Sequence, residues 1–139
     1  MTQPAFSAIR QALADTLSSA IPGLRAAANR PLQVNPPMVV VMPAQGALAT
    51  YSVSSDGLVD FSLRAILVVA PGDSTGGEDL LDPYIATTGS QSVWAAVQEN
   101  QTLGGVVSFA EVTQASGYGL MNMTGVDYLA VTFTVSIGV

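Results

Sequence analysis

The sequence predicts an α+β fold: a single domain, with a largely antiparallel β-sheet packed by an N-terminal helix and one or two short helices. Three observations carry that expectation. Apolar residues recur with helical spacing near the N-terminus. Residues near the C-terminus alternate strictly, as a strand does. Between them, strand-like runs are separated by turn signals and a short helical insertion. At 139 residues the chain is expected to form one domain, 1–139. That length can bury a core without staples.

Phe6, Ile9, Leu13, Leu17 and Ile21 fall at three- and four-residue steps, which predicts a core-facing amphipathic helix. Pro4 suits its first turn and Pro22-Gly23 ends it. Residues 24–37 carry Pro31, Pro36 and Pro37, a density that fits edge strands and turns. Met38–Met42 reads as a buried strand and 47–53 as another, followed by a turn signal at Ser54–Gly57. Over 58–70, Phe61, Leu63, Ala65, Leu67 and Val69 share one strand face. The other face begins with Asp60, Ser62 and Arg64 and turns apolar at Ile66 and Val68, so that end is expected to be covered on both sides. Pro71–Gly77 reads as a flexible loop. Glu78 and Asp79 open a helix, where acids suit the dipole, and Gly89 breaks it. Ser90 is expected to cap a second helix, 91–99, with Val93, Trp94 and Val97 as its stripe. A strand over 103–112, a flexible stretch at Ala115–Gly119 and a turn at Thr124–Asp127 follow. The last strand sets Leu129, Val131, Phe133, Val135, Ile137 and Val139 on one face.

Composition excludes much. The chain has ten acidic residues, four arginines and no lysine, histidine or cysteine, for a net charge of −6. Arg10, Arg25, Arg30 and Arg64 are scattered, which disfavours nucleic-acid binding. No cysteine means no disulfide and no thiolate chemistry. No basic-then-apolar leader and no apolar run of ~20 residues is present, so a soluble intracellular protein is expected.

Gly72-Asp-Ser-Thr-Gly76 matches G-x-S-x-G between a strand and a helix, the context of a nucleophile elbow. Activation of Ser74 needs a base, and neither histidine nor lysine is available, so a surface loop is the reading. The missing residues also exclude a P-loop, Schiff-base chemistry, and the usual zinc, haem and iron–sulfur ligand sets. Asp73, Glu78, Asp79 and Asp82 cluster without EF-hand spacing, which reads as a solvated loop and helix start. Trp94 has two readings: packing against the sheet, or anchoring a subunit interface.

Taken together, AFSAIRQALADTLSSAIPGL, NPPMVVVMP, DFSLRAILVVAPGD, GSQSVWAAVQENQTLGGVV and GVDYLAVTFTVSIGV follow one another in an order that resembles the tail terminator (tail completion) proteins of long-tailed phages. The resemblance spans about residues 4–139. It implies a structural virion protein with no catalytic residue, cofactor or metal. It implies a hexameric homo-oligomeric ring that caps the tail tube, stops its polymerisation and meets the head or neck complex. Partners would be the chain itself, the tail-tube protein and a neck protein, in the virion tail after assembly in the host cytoplasm. Genomic DNA would pass through the lumen without specific binding. Candidate interface residues are Trp94, Ser54, Asp56, Gly57, Asp73, Ser74, Glu78 and Tyr118, chosen because loops on a rigid scaffold carry contacts. Candidate lumen residues are Asp56, Asp60, Asp73, Glu78, Asp79 and Asp82, whose charge would repel phosphate. The competing readings are another connector, neck or tube subunit, a small enzyme using carboxylates and a divalent ion, and a ligand-binding domain.

Overall fold

A computed structural model describes residues 5–29, 33–45, 48–51, 59–72, 76–123 and 125–138. It is a single-domain α+β fold. The elements run α1 (Phe6–Ala20), β1 (Arg25–Ala27), β2 (Met38–Pro43), β3 (Ala49–Tyr51), β4 (Val59–Pro71), α2 (Gly77–Ile85), α3 (Val93–Gln98), β5 (Phe109–Met123) and β6 (Val126–Gly138). The strands form one sheet in the order β1-β2-β4-β6-β5. Every pairing is antiparallel except β1 with β2.

β4 and β6 lie at the centre, joined by an antiparallel ladder that runs from Asp60↔Gly138 to Pro71↔Tyr128. β2 and β3 share the same edge of β4, one after the other. Pro43 faces Leu63 and Ala49 faces Phe61, with Ser62 between the two ladders. Ser62 links the two strands, its carbonyl accepting from the Ala44 N–H and its own N–H donating to the Leu48 carbonyl. β5 and β6 form a long hairpin whose last pair is Met123↔Val126. Gly125 takes a positive φ of 86° in that tight turn, a conformation that glycine adopts without strain.

All three helices contribute to one face of the sheet. Ile9, Leu13, Leu17 and Ile21 are fully buried there, against Val39, Val41, Leu63, Leu67, Phe133 and Val135. Each such side chain is worth roughly 1.5–3 kcal/mol, so α1 is held by its apolar stripe rather than by helix propensity. Its end is also as expected: Ile21 turns extended and Gly23 takes φ 77°.

A second, smaller core lies on the opposite face. Ile66, Val68, Val40, Ala130, Met38, Tyr128 and Val34 are buried in it, so the end of β4 is covered on both sides. Met42, Met121 and Met123 pack around its margin. Flexible thioethers fill this uneven shell where no helix lies. Beyond it the same face becomes polar, with Ser62, Arg64, Thr132, Thr134 and Ser136 half-buried.

Three local expectations are corrected. The strand expected over 103–112 begins only at Phe109, because residues 101–106 are turns with Leu103, Gly104 and Gly105 at φ 50°, 75° and 92°. β5 then runs straight through Ala115–Gly119, which looked like a loop. Glycines in a strand usually weaken it; here β6 supplies a continuous partner, and the extra residues are absorbed as irregularities at Val112/Gln114 and Ser116/Gly119. Lastly, α3 is capped by Ser92, not Ser90. The Ser92 hydroxyl accepts from the Ala95 N–H at 3.0 Å and donates to the Ala86 carbonyl.

Candidate functional site

Chemistry-bearing side chains gather where α2 meets the β5–β6 hairpin. Gly77 starts α2 on the sheet: a Cβ there would stand 3.0 Å from Leu129 Cδ2 and 3.8 Å from the Ala70 Cβ, so glycine permits the close approach. Leu81 and Tyr84 are buried beneath the helix, while Glu78, Asp79 and Asp82 are exposed. Burial pushes the Tyr84 hydroxyl above its ordinary value, against the opposing effect of a hydrogen bond with Gln91.

Tyr118, on β5, donates its hydroxyl to the Asp82 carboxylate at 2.9 Å and so ties the hairpin to α2. Partial desolvation, the Asp82 hydrogen bond and the nearby charges of Asp82, Glu78 and Asp79 all push the Tyr118 hydroxyl upward. Because half of this tyrosine is exposed, solvent screens those charges strongly. The next outward side chain, Leu120, is the most exposed large apolar residue described, at 64%. With Pro71, Gly72, Gly125, Val126 and Asp127 it lines an open cleft of about 480 Å³. Two of its lining residues are joined where the Gly72 N–H donates to the Asp127 carbonyl at 2.8 Å.

Among the described residues no arginine answers these acids. Arg10 donates to the Ala28 carbonyl at 2.6 Å and to Asn29, Arg25 reaches the Asn35 and Pro36 carbonyls, and Arg64 donates to the Pro43 carbonyl at 3.0 Å. Among the described residues none of these arginines forms an ion pair with a carboxylate.

The expected site residues therefore divide. Glu78, Asp79, Asp82 and Tyr118 come together. Asp60 does not join them: it lies at the other end of β4, about 35 Å away at ~3.3 Å per residue, and on the helix-free face. Trp94 is 38% exposed on α3, whose buried stripe is Val93, Ala96 and Val97. The tryptophan is thus at the surface rather than in the core. Ser54, Asp56, Gly57, Asp73 and Ser74 lie outside the described residues. Leu120 and Val126 were missed: Leu120 follows the stretch expected to be flexible, Ala115–Gly119, and Val126 falls in the expected Thr124–Asp127 turn, so neither side chain was given a face.

Among the described residues no three carboxylates converge as a metal-holding set, and no helix is long and apolar enough to cross a membrane. Two further open grooves flank α1, one of about 450 Å³ beside Leu103 and one of about 430 Å³ beside Ser92. Neither gathers a convergent set of titratable groups. In comparisons with known proteins, no family model matches the chain and no curated protein matches it. Fold and site together define an α+β domain with its helices on one face of the sheet and an acidic, partly apolar corner that no described arginine neutralises.

Proposed function

We propose that this chain is a tail terminator of a long-tailed phage. Six copies would close into a ring on the last ring of the tail tube, end its polymerisation and present a face to the head or neck complex. The observation that carries the reading is the charge distribution. The described carboxylates carry no ion-pair partner, while the described arginines are turned onto backbone carbonyls. Such a surface repels phosphate, which suits a channel that DNA crosses without binding. The order of helix, proline-bounded strand, long strand, helical insertion and hairpin supports it as well. In a ring, Asp60 and the α2 acids would stand near opposite mouths of the channel, since β4 separates them. A closed ring needs heterologous contacts, and exposed Trp94 is a candidate anchor for one of them. The protein would act in the virion tail, after assembly in the host cytoplasm.

The test is negative-stain microscopy with light scattering across protein concentrations, then mixing with assembling tail tubes. Closed rings with a central hole and shortened tubes are expected. Unlimited stacking into long tubes points instead to a tube subunit. Failure both to form rings and to bind tubes removes the proposal.

A further inference from the structure

We draw no further inference here: the strongest candidate, the outer edge of β5 at the end of the sheet, carries nothing because irregularities at Val112/Gln114 and Ser116/Gly119 break its regular course and nothing in the structure shows what covers it.

Discussion

Replacing Ser92 by alanine removes two hydrogen bonds at once from a side chain that is 1% exposed. The hydroxyl caps α3 by accepting from the Ala95 N–H, and it donates to the Ala86 carbonyl, which joins the two sides of the α2–α3 connection. A serine N-cap is worth about 1 kcal/mol. The donated bond adds about 0.5–1 kcal/mol, because the Ala86 carbonyl sits in a partly buried setting where water replaces the hydroxyl imperfectly. Ser92→Ala should therefore cost about 1.5–2 kcal/mol. For a chain of this length the unfolding entropy is about 0.3 kcal/mol/K, so the melting midpoint should fall by about 5–7 °C. Ser90→Ala is the matched control. Ser90 is exposed and makes no side-chain hydrogen bond among the described residues, so its loss should cost under about 0.5 kcal/mol. Thermal and urea unfolding of both variants, monitored by circular dichroism, decide the matter. Equal losses in the two variants, or a Ser92→Ala loss below about 0.5 kcal/mol, would refute the assignment of the cap.

Three further predictions follow from other contacts. A Cβ on Gly138 would overlap the ring of Phe109, its direct cross-strand partner; Gly138→Ala should cost about 1 kcal/mol, and in a double-mutant unfolding cycle Phe109→Ala should relieve much of that loss. Tyr118 should ionise above its ordinary value of about 10, read as the tyrosinate absorbance lost in Tyr118→Phe, with Asp82→Asn bringing it back down. With the folded value raised, whatever stability this group adds is present below the unfolded pKa and is lost as pH rises through the folded one. Trp94→Ala should cost under about 1 kcal/mol while Val97→Ala costs about 1–3 kcal/mol; acrylamide should quench Trp94 readily in free subunits, and a ring that keeps it just as accessible removes it from the interface.

Much of the fold was legible in local patterns. α1 could be read because burial against one sheet imposes a helical period, and Ile9, Leu13, Leu17 and Ile21 keep it without exception. β6 could be read because its helix-covered face is buried from Leu129 onward while the other is half-open from Thr132 to Ser136, so burial alternates from Val131 through Ile137. The double covering at Ile66 and Val68 was visible for the same reason. Local signals failed where a choice depended on distant chain. Ser90 and Ser92 are both plausible caps by type, and only the position of the Ala86 carbonyl decides between them. Gly117 and Gly119 look like a loop until β6 supplies the hydrogen bonds that make them strand.

The candidate site divides along the same line. The sequence by itself determined the chemistry available: ten acids against four arginines, with no lysine or histidine, which removes the usual nucleophile–base pairs and leaves a net charge of −6. It also marked Glu78, Asp79 and Asp82 as one helical group. Only the tertiary structure decided that Tyr118, thirty-six residues away along the chain, reaches Asp82, that Asp60 stands apart at the far end of β4, and that Leu120 and Val126 are left bare beside Pro71. The physical reason is that periodicity records which side of an element is buried. It does not record which residue from another element arrives there, because that depends on strand order and on register across the sheet.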